Sequence, residues 1–138
     1  KRGFGPFFHF LSYLCTMDFD TELRFQKLIE CLKPTFEMDL DLTALIYLIG
    51  LNEAGFGFRV YSKQEKMDLM HVAICTLLAP GGYYEFSHRD DQNWPHFTLV
   101  QPLPMLNEKE QKHVLKEAVI DYFIENEYVT TEMLITSA

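Results

Sequence analysis

The sequence predicts a mainly α-helical domain of the α+β class, with four helices and one β-hairpin between the third and fourth helices. Three observations predict it: apolar residues recur with a helical period in four segments, capping residues stand where these segments start, and one stretch of strand-forming residues contains a polar turn. At 138 residues the chain suits a single domain, and its 48% of hydrophobic residues can fill one core.

The chain divides by composition into three segments. They are an aromatic N-terminal extension at residues 1–16, the helical domain with its hairpin at 17–128, and a C-terminal tail at 129–138. Lys1 and Arg2 precede an apolar run and loosely imitate a signal peptide, but the run contains His9 and no small-residue cleavage site follows it. Met17 would make a natural start, so we expect the first segment to be an extension rather than a leader.

The first two helices are predicted from their caps and their apolar spacing. The first begins after Asp18 or Asp20, either of which can accept a hydrogen bond from the free N–H groups of a first turn. The second begins at Asp39 or Asp41 and ends at Gly55, which is the expected C-terminal cap. In both segments large apolar residues recur at i, i+3, i+4 and i+7, which places them on one buried face.

The third helix has the clearest start, because Ser62 and Glu65 have the spacing of a capping box. Its predicted apolar stripe includes Met67 and His71, and the fourth helix is predicted to begin at Asn107. The polar face of the fourth helix is predicted to be solvated, and it comprises Lys109, Lys112, Lys116, Glu117, Asp121 and Glu125. The predicted core consists of apolar residues at helical spacing: Phe25, Leu28, Leu32, Leu45, Ile46, Ile49, Met70, Ile74, Leu77, Leu115, Val119 and Tyr122.

The hairpin is predicted from two runs of strand-forming residues, 83–88 and 94–100, separated by the turn residues 89–93. Pro95 cannot donate a ladder hydrogen bond, so the second strand is an edge strand or begins after it. Residues 56–61 are predicted to add a short strand.

The order of helices and hairpin resembles that of a winged-helix domain with an added helix. The segment between the second and third helices is longer than the tight turn of a helix-turn-helix. The would-be recognition helix offers only Lys63 and Lys66 as basic groups, against Glu65 and Asp68, so phosphate contacts would be few. A winged helix of this composition is expected to bind protein rather than DNA.

The composition restricts the possible partners and the compartment. A net charge of -8, from 12 basic and 20 acidic residues, disfavours nucleic acid, whose affinity comes largely from Lys and Arg. No apolar run approaches the roughly 20 residues of a membrane helix. Cys15, Cys31 and Cys75 are odd in number and stand apart among apolar neighbours, which indicates reduced thiols. We therefore expect a soluble protein of the cytoplasm, a reducing compartment.

A polar cluster on the hairpin is the strongest candidate for chemistry. His88, Asp90, Asp91 and His96 offer two imidazoles and two carboxylates, a set that suits zinc, iron or manganese. Their spacing matches no metal motif, and adjacent Asp and Asn residues are also typical of an ordinary turn. The sequence favours a solvated turn, with a metal-dependent enzyme as the alternative.

No catalytic constellation assembles elsewhere in the sequence. Cys75 follows His71 by four residues and could be a nucleophile beside a base, but neither an orienting acid nor an oxyanion motif accompanies the pair. The glycine pairs lack the pattern of a phosphate loop. We expect no catalytic residue and no cofactor.

Several short segments carry a resemblance. They are residues 41–45, 48–50, 66–71, 82–85 and 94–96, which read DLTAL, LIG, KMDLMH, GYYE and WPH. Together they resemble a set of small bacterial proteins of uncharacterised function, over about residues 39–125. The resemblance implies no known activity and no catalytic residues.

The N-terminal extension predicts self-association. Its large apolar residues are Phe4, Phe7, Phe8, Phe10, Leu11, Tyr13 and Leu14. Soluble monomers seldom leave a contiguous apolar patch of this kind in water. We expect a homodimer in which residues 4–14 contribute to the interface, with Trp94 and the Pro95-bearing edge as the receiving surface. The function predicted from the sequence is therefore a non-enzymatic interaction module with a protein partner, the alternative being a nucleic-acid-binding regulator of winged-helix type.

Overall fold

The structure is a computed structural model that describes the backbone of residues 5–36 and 39–135, and the side chains of residues 19–36 and 39–135. Its elements are α1 (Gly5–Leu32), α2 (Leu42–Ala54), α3 (Lys63–Leu78), β1 (Tyr84–Arg89), β2 (Pro95–Leu99), α4 (Glu108–Glu125) and α5 (Thr131–Ile135). The prediction of a mainly helical α+β chain with a hairpin between the third and fourth helices is confirmed. These elements form two compact units, a helical unit of α1, α4 and α5 and a hairpin unit of α2, α3, β1 and β2.

Helix α1 starts well before the position that the sequence predicts. It begins at Gly5, so the start expected after Asp18 or Asp20 is wrong. Asp20 lies inside the helix, where its carboxylate accepts a hydrogen bond from Arg24 Nε at 3.0 Å. The residue therefore makes an i, i+4 pair instead of capping a first turn. The helix ends two residues before Pro34, whose ring cannot continue an α-helix.

The core of the helical unit is built from apolar residues of all three helices and of the α4–α5 connection. Its buried members are Phe25, Leu28, Leu32, Val119, Ile120, Phe123, Val129 and Leu134. The Tyr128 ring packs edge-on against Phe123, with centroids 5.3 Å apart, and lies 6.3 Å from the Phe36 ring. Leu115 and Tyr122, which the sequence places in the core, are only half-buried.

In the hairpin unit, the local signals at the helix ends are confirmed. The Asp41 carboxylate accepts a hydrogen bond from the Ala44 N–H at 2.8 Å and caps α2. Gly55 follows α2 with a φ of 82°, a left-handed conformation that glycine adopts without strain. Ser62 and Glu65 form the predicted capping box at the start of α3.

The crossing of α2 and α3 depends on a glycine. A Cβ atom at Gly50 would lie 2.2 Å from the carbonyl oxygen of Leu69, so the two backbones approach as closely as only glycine allows. This contact places Leu69 of α3 at the crossing with α2. The buried stripe of α3 is Leu69, Val72, Ala73 and Leu77, with Cys75 beside it.

The apolar stripe predicted for α3 is therefore wrong in its rotation. His71 and Met67 are exposed, and Met70 and Ile74 are half-buried. The predicted stripe has helical spacing, but the buried face of α3 includes the small residue Ala73 in place of the larger side chains. The spacing of apolar residues alone therefore does not show which face of α3 is buried.

The strands β1 and β2 pair antiparallel, with Tyr84 opposite Leu99 and Phe86 opposite Phe97. A bulge between Phe86 and His88 then shifts the register by one residue, so His88 lies opposite His96. The described residues contain no strand besides β1 and β2, so the strand predicted at 56–61 does not form. Gly57 has a φ of 76°, in the left-handed region that a regular strand does not use.

Candidate interaction surface

The polar cluster of the hairpin is organised by Asp90. Its Oδ1 accepts hydrogen bonds from the backbone N–H groups of Gln92, at 2.9 Å, and Trp94, at 3.0 Å. Its Oδ2 lies 2.8 Å from His96 Nε2. The contact with His96, together with the two N–H donors, lowers the pKa of Asp90. The carboxylate therefore holds the turn and one imidazole in place.

Three of the four residues predicted as metal candidates come together here. The His88 and His96 rings stack with centroids 4.9 Å apart and planes 6° from parallel. His88 Nδ1 lies 2.8 Å from the Ser87 hydroxyl oxygen, and Asp91 is exposed on the turn. Within the described part of the chain, no group of three or more His, Cys, Asp or Glu side chains is placed to hold a metal ion.

Arg89 joins the hairpin to the end of α2. Its guanidinium donates from Nη1 to the carbonyl oxygens of Ala54, at 3.0 Å, and Asn93, at 2.8 Å. It donates from Nη2 to the carbonyl oxygen of Glu53 at 2.8 Å. Helix C-termini carry unpaired carbonyls and partial negative charge, so a cation is favourable there. The sequence suggests only turn chemistry for this residue, because its partners lie 35 and 36 residues away.

The pair formed by Cys75 and His71 is present, and its thiol is buried. Cys75 Sγ lies 3.5 Å from His71 Nε2, and the imidazole meets the Tyr84 ring edge-on at 6.3 Å. Burial raises the pKa of the Cys75 thiol to about 11, so almost no thiolate forms near neutral pH. The side chain is fully buried. These conditions are typical of a core thiol rather than a nucleophile.

The loop between α2 and α3 is held by aromatic and ionic contacts. The Arg59 guanidinium lies over the Tyr61 ring, 4.6 Å from its centroid, and 5.3 Å from that of Phe56. It also pairs with Glu65 at 3.7 Å. The Tyr61 hydroxyl donates to the carbonyl oxygen of Gly57 at 2.6 Å. Phe56 in turn meets the Trp94 ring edge-on at 4.9 Å, so the half-buried Trp94 is engaged within the hairpin unit.

Several apolar side chains of this loop and of the start of α3 are exposed to solvent. Phe58 is 79% exposed, Val60 is 94% exposed, and Met67 on the second turn of α3 is 59% exposed. Lys63 and Lys66 are exposed on the same stretch. We call these five residues the loop–helix surface. The sequence signal for it is the alternation of Phe56, Phe58 and Val60 in a segment that forms no strand.

A second apolar area lies on one face of the hairpin. Phe86 and Phe97 are cross-strand partners whose rings meet edge-on with centroids 5.8 Å apart. Phe86 and Leu99 are exposed, whereas Phe97 and Tyr84 are half-buried. Tyr84 contacts His71 of α3, so this face turns towards the helices at one end.

In the helical unit, part of the predicted solvated face of α4 instead binds α1. The Glu117 carboxylate accepts hydrogen bonds from the buried Thr21 hydroxyl and from Arg24 Nη2, the latter at 2.8 Å. Burial and the neighbouring Glu117 raise the pKa of Asp121. Lys116 pairs with Glu22 of α1. The prediction that Lys116 and Glu117 are solvated is wrong, because α1 covers them.

The predicted dimer interface falls mostly beyond the described side chains. Phe4 lies outside the described residues. Six further residues belong to α1, and their side chains lie outside the described part: Phe7, Phe8, Phe10, Leu11, Tyr13 and Leu14. The interface stays a prediction, as do the boundaries at 16/17 and 128/129.

Comparison with known proteins adds no family. No family model, curated protein or solved structure matches the chain, which is consistent with its weak resemblance to small bacterial proteins of uncharacterised function. None of the helices in the described ranges has the length and apolar character needed to cross a membrane.

Proposed function

We propose that the chain is a non-enzymatic interaction module that binds a partner protein through the loop–helix surface. The observation that carries the proposal is the exposure of Phe58 and Val60 on a loop whose flanking residues, Arg59 and Tyr61, are anchored. A loop that is held in shape while its apolar side chains face water resembles the core of a protein interface before binding.

The polar groups of the hairpin unit also support a non-enzymatic role. Asp90 and His96 bind each other inside the turn, Arg89 binds the end of α2, and Cys75 is buried with a raised pKa. Each of these groups has a structural role in holding the unit together. Catalysis would need at least one of them to be available to a substrate.

The nucleic-acid alternative has little support from the basic residues. The hairpin unit contains four of them, Arg59, Lys63, Lys66 and Arg89. Arg89 is used on α2 and Arg59 pairs with Glu65, which leaves two lysines for phosphates. A gel-shift titration at low salt tests the alternative, because a nucleic-acid-binding protein should shift duplex DNA and lose affinity steeply with added salt.

The experiment that tests the proposal is site-specific photo-crosslinking in the native host. A benzoylphenylalanine is placed at position 58 or 60, and at Met105 as a control that is 99% exposed and apolar. We expect a discrete crosslinked protein from positions 58 and 60 but not from 105, and the purified partner should bind the purified chain. The proposal is wrong if no protein crosslinks at positions 58 and 60, or if position 105 gives the same products.

We also propose that the module acts in the cytoplasm as a homodimer. The support is the aromatic content of residues 4–14 and the thiols of Cys31 and Cys75, which are free in the structure and suit a reducing compartment. Light scattering on the full chain and on a variant carrying Phe7→Ser and Phe10→Ser tests the dimer. A monomeric full chain, or a variant dimer of unchanged affinity, would contradict it.

A further inference from the structure

We infer that the loop–helix surface recognises an acidic segment of its partner, one that combines Asp or Glu residues with at least two large apolar side chains. The inference rests on the proposed function and specifies the chemistry of the partner. It follows from three features of the surface: its local charge, its anchored geometry and the kind of side chain that it exposes.

The surface is locally basic on an acidic chain. The chain carries a net charge of -8, and the hairpin unit itself contains eight acidic and four basic residues. Three of those four basic residues, Arg59, Lys63 and Lys66, lie within eight positions of one another. Lys63 and Lys66 make no ion pair within the described part of the chain. An acidic segment therefore gains favourable charge contacts here and meets repulsion over most of the remaining surface.

The local acidic residues offset only part of this charge, because residues 58–68 contain three basic and two acidic side chains. The Glu65 side chain accepts from the Ser62 N–H at 2.9 Å as part of the capping box, and it also faces Arg59. The Asp68 carboxylate accepts from the Gln64 amide at 3.0 Å. Both carboxylates are thus held along α3, while the two ammonium groups remain exposed.

The surface is also formed before any partner binds. Arg59 is held by two aromatic rings and a carboxylate, and the Tyr61 hydroxyl is bonded to the Gly57 carbonyl. The capping box fixes the start of the helix that follows. A partner therefore loses little affinity to ordering this loop.

The apolar side chains favour a protein segment over a polyanion. A phosphate backbone offers no apolar group to Phe58 or Val60, and two lysines would neutralise about two phosphates. An extended anionic membrane would also be repelled by the net charge of -8 that the chain carries. A short peptide chain can place apolar side chains on Phe58 and Val60 and carboxylates beside Lys63 and Lys66.

The test is selection of ligands from a phage-displayed library of random 12-residue peptides on the immobilised full chain. We expect enriched sequences to contain Asp or Glu together with Phe, Leu or Trp. Synthetic versions are then titrated by fluorescence polarisation. Phe58→Ser with Val60→Ser should raise Kd by roughly tenfold or more, as expected for apolar anchor residues.

A charge reversal tests the electrostatic part separately. Lys63→Glu with Lys66→Glu should also raise Kd, and the effect should shrink as salt is added. Met105→Ser and Lys112→Glu change exposed residues that do not belong to the loop–helix surface, and these controls should leave Kd unchanged. The fluorescence of Trp94 checks that each variant of the hairpin unit remains folded.

The possible outcomes are distinct. Absence of enrichment, enrichment of neutral or basic peptides, or equal binding by the Phe58→Ser, Val60→Ser variant would each overturn the inference. Tighter binding of duplex DNA or of phosphatidylserine vesicles through the same residues would overturn it as well. A non-acidic protein that crosslinks at position 58 would leave the proposed function standing while refuting this inference.

Discussion

Replacing Gly50 by alanine tests the packing of the hairpin unit. The added methyl group would lie 2.2 Å from the Leu69 carbonyl oxygen and 2.9 Å from its carbonyl carbon. Both are backbone atoms, so no side-chain rotation can relieve the contact. Restoring an ordinary distance requires α2 and α3 to separate by about 1 Å, which forfeits dispersion energy along the whole crossing.

The expected magnitude follows from two opposing effects. Overpacking in a well-packed core costs about 1 to 3 kcal/mol, and the upper end applies because the contact is between backbones. Alanine is a better helix former than glycine by about 1 kcal/mol. The net loss in the free energy of unfolding is therefore about 2 kcal/mol. Without the close approach the sign would be reversed, because only the helix-forming gain would remain.

The assay is urea-induced unfolding followed by the fluorescence of Trp94, which lies in the hairpin unit. We expect the Gly50→Ala midpoint to fall by roughly 1 M urea at an unchanged slope. Gly55→Asn is a useful comparison, because nothing lies within 4 Å of its Cβ position and asparagine tolerates a positive φ. That variant should stay close to wild type. A Gly50→Ala protein as stable as wild type, or more stable, would refute the packing described for α2 and α3.

Three further changes have defined outcomes. Arg89→Lys should lower the free energy of unfolding of the hairpin unit by about 1 to 2 kcal/mol, because one ammonium cannot hold three carbonyls as a guanidinium does; an unchanged urea midpoint would contradict this. In peptide-resolved alkylation at pH 8, native Cys75 should react at least about 100-fold more slowly than Cys75 in the denatured chain. The reason is that a pKa near 11 instead of 9.0 leaves about that much less thiolate. Equal rates would show that the thiol is accessible. The unfolded thiol ionises first, so stability should also fall as pH rises from 9 towards 11. Glu117→Gln should destabilise the helical unit by about 1 to 3 kcal/mol, as measured by thermal melts followed by circular dichroism. The control Glu125→Gln changes an exposed carboxylate and should alter the melting temperature little. Equal melting temperatures for the two variants would exclude a stabilising role for the Glu117 contacts.

The features that the sequence predicts correctly are local ones. Asp41 and the Ser62–Glu65 pair satisfy N–H groups no more than three residues away, so their spacing alone determines their role. Gly55 and the hairpin turn are likewise decided by neighbouring residues. Signals of this kind can be read without knowing how the elements pack.

The errors arise where a residue acts on a distant part of the chain. In the sequence Gly50 is only a glycine inside a helix, and its close approach to the Leu69 backbone of α3 becomes visible only in the structure. Arg89 lies beside turn residues in the sequence, and only the structure shows its hydrogen bonds to the end of α2. Glu117 has the spacing of a solvated face, yet it lies against α1. The candidate surface was missed for the same reason, because exposure depends on tertiary packing.

The β-bulge determines which face of the hairpin carries Arg89. Directly opposite residues share a face, and the extra residue Ser87 places His88 with His96 on one side while Arg89 and Pro95 share the side of Phe86. Arg89 thereby reaches the end of α2. Without the bulge, a regular ladder would pair Ser87 with His96 and turn Arg89 to the other face, with the His88 imidazole in its place. The bulge is thus part of the contact between the hairpin and α2, because pairing the two strands without it would turn Arg89 away from the end of α2 without removing any of the residues that form the contact.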